Sequence, residues 1–495
     1  MFAAKLPRHL ALLGLLVIAA AGNAAIAAAQ SPGTFTRTGD MTTARAQHTA
    51  TLLTTGKVLM TGGTQSGGFS GLATAELYDP KSGTFTRTGN MATERRMHTS
   101  TLLPDGRVLI AGGYGTAGAA LNTAELYDPS SGTFTATGTL LTGRGGHTAI
   151  LLRSAKVLII GGYGTNAYPD VAPAEIYDPS SGAFTAAAEY VGRGGCDFCA
   201  PSVLLTDGTV LFPGQHPAQV FDSVADSFTP AGMMKAEQSA ATLLTTGRVL
   251  FAGGEDFGRL SSAELYDPDT HTFTAVADMG WRRVWHSLTM LPNGDALAAG
   301  GETESCSGNA CYFAGSVATA ELYDPSSAAF RPTADMTAKR EIHTATLLAD
   351  GRVLIAGGDS YGGIGSYFGS TASAELYTPD VLVPAPALAF VSGTSQGAIY
   401  HAGTSYLAAP NDPASIGELV DLSCAGLDTT SAIPPQVSIG GRLAQVVSFR
   451  QPGAVSGMNQ MIRVRVPAAV APGNAVSVRL FYLDRPSNEV TIAIR

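Results

Sequence analysis

Charge is scarce in this sequence. Only 14% of its 495 residues are Asp, Glu, Lys or Arg, against roughly 25% in ordinary soluble domains. Runs of basic residues are missing, and the formal net charge is −9. Nucleic acid and anionic membrane are therefore not expected as partners. Beyond the N-terminus no apolar run is long enough for a membrane-spanning helix. Tryptophan occurs twice and cysteine five times. What the sequence has instead is Gly, at 59 residues, together with Thr, Val, Leu and Ala. That mixture suits many short strands joined by Gly-rich turns.

The N-terminus reads as a signal peptide. Lys5 and Arg8 form a basic start, Leu10 to Ala21 an apolar run, and Ala27-Ala28-Ala29 a small-residue cleavage site before Gln30. Removal of residues 1–29 takes two positive charges with it, leaving about −11. The expected location is secreted, periplasmic or cell-surface, without membrane insertion after cleavage. In such a compartment the close pairs Cys196–Cys199 and Cys306–Cys311 suit local disulfides. Four thiolates on one zinc ion are the other use of these residues. Disulfides fit an exported chain better, so no metal is expected. Cys424 is left as a small buried hydrophobe.

Self-similarity at a period of about 50 residues dominates the rest. His48-Thr49-Ala50-Thr51-Leu52-Leu53 returns as His98-Thr99-Ser100-Thr101-Leu102-Leu103. Each is followed by a turn, a Val-Leu run, a double Gly, an Ala-Glu-Leu-Tyr-Asp-Pro segment and a Thr-Phe-Thr segment. These runs predict four short strands, a to d, per unit. Seven units start at His48, His98, His147, Ala200, Ser239, His286 and His343. The seventh has no strand d, whereas an orphan Thr34-Phe35-Thr36 precedes the first. The economical arrangement is a ring in which the segment 33–38 completes the last unit, leaving no sheet edge unpaired.

The double Gly, the Tyr-Asp-Pro and the Arg three residues before the His resemble the kelch family over about residues 33–380. Phe35, Phe85, Phe134, Phe184, Phe228, Phe273 and Phe330 stand where kelch repeats usually carry Trp. The resemblance implies an all-β, seven-bladed kelch-type propeller over 30–380. A Pro-containing linker follows at 381–386. Residues 387–495 carry alternating runs such as Ser405 to Leu407, Gln436 to Ile439, Met461 to Val466, Val476 to Leu483 and Val490 to Ile494. These predict an immunoglobulin-like β-sandwich.

Strand order puts the d–a and b–c loops on one face. The b–c loops vary most, from Gln215–Pro217 to Glu302–Thr319, and variable loops on a rigid ring are where binding sits. That face is expected to carry Tyr114, Tyr163, Trp281, Trp285, Tyr312 and Tyr361, rings able to stack on sugars or grip a peptide. Arg283 and Arg340 are placed there too, in an arginine ring with Arg45, Arg95 and Arg144. The function expected is non-catalytic recognition of an extracellular glycan or protein by a monomer without a cofactor.

Propeller followed by sandwich is also the domain order of copper radical oxidases that resemble galactose oxidase. That likeness implies two His and two Tyr copper ligands, one pair being a Tyr-His at the start of a strand a. Here the matching pairs read Ile342-His343 and Trp285-His286, and the C-terminal part has only His401. Neither Ile nor Trp ligates copper. A copper oxidase of sugars or alcohols is thus the alternative, with no catalytic residue assigned, and a structural cell-surface spacer is a third reading.

Overall fold

The structure, a computed structural model, describes residues 33–65, 70–164, 173–188, 201–213, 217–234, 240–255, 258–307, 310–362, 367–428, 430–455 and 458–495. The segment 1–29 and the pair Cys196–Cys199 lie outside them. Seven four-stranded antiparallel sheets form the blades of a propeller. In blade 1 the strands are Thr49–Leu52, Val58–Thr61, Ala75–Asp79 and Thr84–Arg87. Blade 7 takes its outermost strand, Thr34–Arg37, from the N-terminal end of the ring, with Phe35 opposite Tyr377.

Strand b is apolar without alternation because both of its sides are covered. Val58, Leu59 and Met60 are all buried, since each blade is sandwiched between two others. Seven apolar clusters lie one at each junction between neighbouring blades, and the cluster joining blade 7 to blade 1 closes the circle. The strand-c Tyr adds a polar stitch: Tyr78 Oη and Thr38 Oγ1 are 2.9 Å apart, and the Tyr127–Thr88 and Tyr177–Thr137 pairs repeat it. In each the Thr follows the previous blade's strand d.

The b–c loops of blades 6 and 7, read from sequence as variable loops, contain hairpins of their own, Glu302–Ser307 with Ala310–Ser316 and Asp359–Tyr361 with Tyr367–Ser370. The first places Cys306 directly opposite Cys311 in the backbone register.

The C-terminal part forms a single curled sheet of nine strands around one apolar core. Two facing layers exist, as expected of a sandwich, but they are joined by hydrogen bonds. The strand Arg442–Val455 pairs first with Gln436–Ile439 and then with Met458–Arg465. Register shifts along it let the strand bend from one layer into the other. Ser405 to Leu407 is not a strand; only Leu407 makes a bridge, to Tyr400.

This unit docks on the a–b turns of the propeller. Ser438 Oγ donates to Pro104 O at 2.8 Å, Arg479 Nη1 to Thr54 O at 3.2 Å, Ala432 N to Thr245 O at 2.6 Å and Ala385 N to Ala349 O at 2.8 Å. These turns belong to blades 2, 1, 5 and 7. Blades 1 and 5 stand on opposite sides of the ring, so the unit spans the far end of the axial channel. The d–a and b–c face is left as its open end.

Candidate functional site at the channel mouth

The arginines of the d–a loops are a framework, not a ligand site. Arg340 is fully buried; its Nη1 donates to Gly357 O at 2.7 Å and to Ser373 O at 3.1 Å, and its Nη2 to Glu375 Oε1 at 2.8 Å. Arg283 is enclosed in the same way, on Gly300 O and Glu321, and Arg45, Arg95 and Arg144 repeat the pattern. The expectation that Arg283 and Arg340 contact a ligand is corrected by this enclosure: their donors are turned inward to carbonyls and to the strand-c Glu. The same carboxylates accept loop N–H groups, as Glu76 does from Thr42 and Thr43.

The recurring His is a wedge between blades. His98 Nε2 lies 3.0 Å from Thr49 Oγ1 and 3.1 Å from Thr61 Oγ1 of the preceding blade. His147, His343 and His48 meet Thr99, Ser287 and Thr344 likewise. Burial holds these rings neutral: it pushes the pKa of His147 and of His343 down to about 3 and those of His48, His98 and His286 well below the ordinary value. The double Gly exists to admit the wedge. A Cβ on Gly300 would stand 2.8 Å from His343 Cε1 and 2.6 Å from Arg340 O.

Beside the wedge, each of these blades pairs the residue after the Arg with the residue after the double Gly, and most of these are buried, among them Ala46, Thr64, Val284, Glu302, Glu341 and Asp359. An isolated backbone bridge joins them: Ala46 with Thr64, Arg96 with Tyr114, Gly145 with Tyr163, Val284 with Glu302 and Glu341 with Asp359. The scaffold repeats while the side chains differ. Blades 2 and 3 contribute Tyr114 and Tyr163, with the Arg96 guanidinium 5.2 Å from the Tyr114 ring centre. Blades 5 to 7 contribute carboxylates. Glu302 is held by Arg259, which also pairs with Glu255 at 2.5 Å. Glu341 is buried, accepts from Ser316 Oγ at 2.9 Å, and has its pKa pushed up to about 8 by burial and by the neighbouring Glu302 and Asp359.

The aromatic side chains divide between the two sides. Trp281 and Tyr312 are exposed, at 48% and 58%. Tyr361 packs edge-on against Phe313 at 5.9 Å. Trp285 is half-buried, 5.8 Å below the Arg259 guanidinium. Tyr114 and Tyr163 sit together across the mouth, with Tyr114 Oη reaching Tyr163 O at 3.5 Å. Sequence reasoning missed the carboxylates Glu302, Glu341 and Asp359. Their signal was positional, since they fill the two slots that change identity from blade to blade.

The axis itself opens into a cavity of about 440 Å³. Gln47, Met97 and Ile342 line it, with Gly146 and the strand-a residues Thr49, Thr99 and Thr344. Each residue preceding a strand-a His is left-handed: φ is 54° at Gln47, 51° at Met97, 65° at Gly146, 56° at Trp285 and 52° at Ile342. A chain of backbone bonds fixes this, Met97 N donating to Gln47 O at 3.0 Å, Gly146 N to Met97 O at 2.9 Å and Ile342 N to Trp285 O at 3.1 Å.

A copper centre of the oxidase type does not fit these residues. Ile342 and Trp285 occupy the slots that need a ligating Tyr, and the His rings beside Thr or Ser partners are committed to the blade junctions. His401 is distant in purpose as well, held by Glu418 and by Asp412 O. Among the described residues no group of three or more His, Cys, Asp or Glu side chains is placed to hold a metal. No described helix is long and apolar enough to cross a membrane.

The kelch motif matches residues 240–280, the fifth blade. No curated protein sequence matches the chain. Among solved structures, a fungal alcohol oxidase of the AA5 family, in complex with copper, aligns with a TM-score of 0.58 and 17% identity. The alignment covers 94% of this chain and 99% of that one. At this identity the likeness is one of fold. The chain is a seven-bladed β-propeller with a curled C-terminal sheet; it carries a kelch motif in its fifth blade and shares its overall fold with that oxidase.

Proposed function

We propose that the chain is an exported, non-catalytic binding protein. It recognises an extracellular glycan or protein through the d–a and b–c face. The observation that carries this reading is the set of b–c loops, which differ in length and side chain from blade to blade on the open face of a rigid ring. A rigid ring with variable contacts at its open end is a recognition surface. Exposed Trp281 and Tyr312 add aromatic area beside it.

The fold likeness to a copper alcohol oxidase favours the rival reading, an oxidase of sugars or alcohols. The two separate in one set of measurements. Residues 30–495 are screened on glycan and protein arrays, and the same preparation is assayed for bound copper and for peroxide release with sugars and alcohols. Binding lost in Trp281→Ala, without stoichiometric copper, supports recognition. Stoichiometric copper with turnover overturns it.

A further inference from the structure

Two side-chain devices cross from blade to blade in this ring, the His wedge and the Tyr–Thr stitch, and they are unevenly spread. Both are present at four consecutive junctions, 6/7, 7/1, 1/2 and 2/3. There His343, His48, His98 and His147 reach Ser287, Thr344, Thr49 and Thr99. Tyr377, Tyr78, Tyr127 and Tyr177 meet Thr333, Thr38, Thr88 and Thr137 at 2.9 to 3.1 Å. The three remaining junctions are also consecutive, and there the residues for one or both halves of each device are missing.

At junction 3/4 the His and Tyr slots hold Ala200 and Phe221, which cannot make these bonds. At junction 4/5 the His slot is Ser239, with Pro201 in the slot that receives it, and the Thr slot is Ala231. Tyr266 Oη turns instead to His271 Nδ1 of its own blade, at 2.9 Å. At junction 5/6 His286 and Tyr323 are kept, but the residues that should receive them are Ala240 and Val276. Val276 packs in the same apolar cluster as Tyr323. His286 Nε2 and Tyr323 Oη are accordingly buried without a hydrogen-bond partner among the described residues. A buried polar atom left unpaired disfavours the closed junction, because opening returns it to water.

Apolar packing does not separate the two arcs, since every junction has its own cluster. Backbone bonds do not either: Gly254 N donates to Arg283 O at junction 5/6 as Gly63 N does to Arg95 O at junction 1/2. Other ties at the two boundaries of blades 4 and 5 come from loops and turns. Arg153 donates to Thr206 O and Ala188 N to Asp226 Oδ1 at junction 3/4, and Arg259 holds Glu302 at junction 5/6. The C-terminal unit is bonded to blades 1, 2 and 7 through Arg479, Ser438 and Ala385, and it reaches blade 5 through Ala432 N.

We propose that blades 4 and 5 form a movable sector: the ring opens at junctions 3/4 and 5/6, widening its mouth there, while the arc from blade 6 round to blade 3 stays closed. The interior of a propeller blade exchanges its amides only when a unit of structure opens. Relative to two complete junctions, the two boundaries lack four side-chain bonds, each worth about fivefold in an opening equilibrium. This inference goes beyond the recognition reading and stands or falls without it.

The test is amide hydrogen exchange, read by mass spectrometry, on residues 30–495. Strand b of blades 4 and 5, Val210–Phe212 and Val249–Ala252, is expected to exchange at least about a hundredfold faster than Val58–Thr61 and Val108–Ala111 of blades 1 and 2. Blades 4 and 5 should share one protection factor, because they open together. Ala240→Ser with Val276→Thr gives His286 and Tyr323 the partners that Ser287 and Thr333 supply at junction 6/7. It should slow exchange about twentyfold in both blades of the sector and leave blades 1 and 2 unchanged; a merely local gain would stop at blades 5 and 6. Thr99→Ala with Thr137→Val strips both ties from junction 2/3 and should speed exchange in blades 2 and 3 by a similar factor. Equal protection in all seven blades, separate protection factors for blades 4 and 5, or unaltered exchange in the Ala240→Ser, Val276→Thr variant overturns the proposal. Should that variant not fold, the comparison among blades of the unaltered chain decides alone.

Discussion

Acidification should weaken the propeller at pH values above those where ordinary carboxylates titrate. Five strand-a His rings are buried or partly so, and all are held neutral, His147 and His343 with pKa values of about 3. A folded pKa below the unfolded value of about 6.5 means that the unfolded chain binds the proton first. Stability is then intact above pH 6.5 and falls as pH drops toward the folded pKa. Between pH 7 and 5.5 each ring costs about 1 kcal/mol or slightly more, and the five together cost about 6 kcal/mol. Glu341 works in the opposite direction. Its pKa of about 8 keeps it protonated in the fold while the unfolded group ionises, so lowering the pH over the same window offsets about 2 kcal/mol. His401, raised by its bond to Glu418, adds to that offset. The net loss of about 4 kcal/mol is a large fraction of ordinary domain stability. Trp281 and Trp285 both lie in the ring, so their fluorescence in guanidinium titrations at pH 7.0 and 5.5 reports the propeller alone. His98→Asn and His147→Asn should each shallow the pH slope by about one proton. Stability at pH 5.5 within 1 kcal/mol of that at pH 7, or unchanged slopes in both variants, would refute the wedge argument.

Arg340→Ala strips a fully buried cation from Glu375 and two carbonyls and should destabilise by about 3–5 kcal/mol, whereas Arg340→Met combined with Glu375→Leu should lose far less; denaturant midpoints decide it. Gly357→Ala drives a Cβ to 2.7 Å from His48 Cε1 at a φ of 66° and should cost about 3 kcal/mol or more. Gly161→Ala, whose nearest neighbour is Phe212 at 3.4 Å, should cost only the left-handed penalty of about 1–2 kcal/mol; equal losses in the two would be wrong for this account. Glu341→Gln keeps a partner for Ser316 but cannot ionise, so at pH 7 it should gain up to about 3 kcal/mol, with the gain shrinking toward pH 4.5.

The ring was legible in the sequence because its parts are local and repeated. Strand b announces itself as an unbroken apolar run, since both faces are covered, and the double Gly marks the point where a neighbour's His enters. The orphan Thr34-Phe35-Thr36 has the composition of every other strand d, and it pairs with Ala374–Thr378. The curled C-terminal sheet was less legible, because the bend of Arg442–Val455 depends on bulges that leave no periodic signal. At the mouth, residue type alone misled. Arg283 and Arg340 were candidates for ligand contact because their repeat position puts them on the d–a face, and the inward-facing carbonyls and Glu residues are what make their burial intelligible. The slots occupied by Glu302, Glu341 and Asp359 were visible only as departures from the repeat, and their proximity to one another is a property of the ring.

The junction that breaks the pattern shows why those departures carry the functional information. Unit 5 begins at Ser239 without a His, and the unit before it has Pro213-Gly214 in place of the double Gly. Unit 4 begins at Ala200, also without a His, and there Gly161 of blade 3 faces only the Phe212 ring. Wedge and receiving Gly are one device, relaxed together where an apolar contact substitutes: Phe251, Met234 and Tyr266 fill the junction of blades 4 and 5. Residues bound to a partner in this way must vary with that partner and say little about a ligand. The residues before each His have ties of their own: Arg96 Nη1 donates to Gln47 Oε1 at 2.9 Å and to Met97 Sδ at 3.3 Å, and Trp285 lies under the Arg259 guanidinium. Their backbone is fixed by the Gln47, Met97 and Gly146 chain of hydrogen bonds, which asks nothing of the side chain and would be easier with none. Gln47, Met97 and Trp285 thus keep side chains on a left-handed backbone where Gly146 shows that Gly is tolerated, and their contacts with Arg96 and Arg259 are what the fold gains in return.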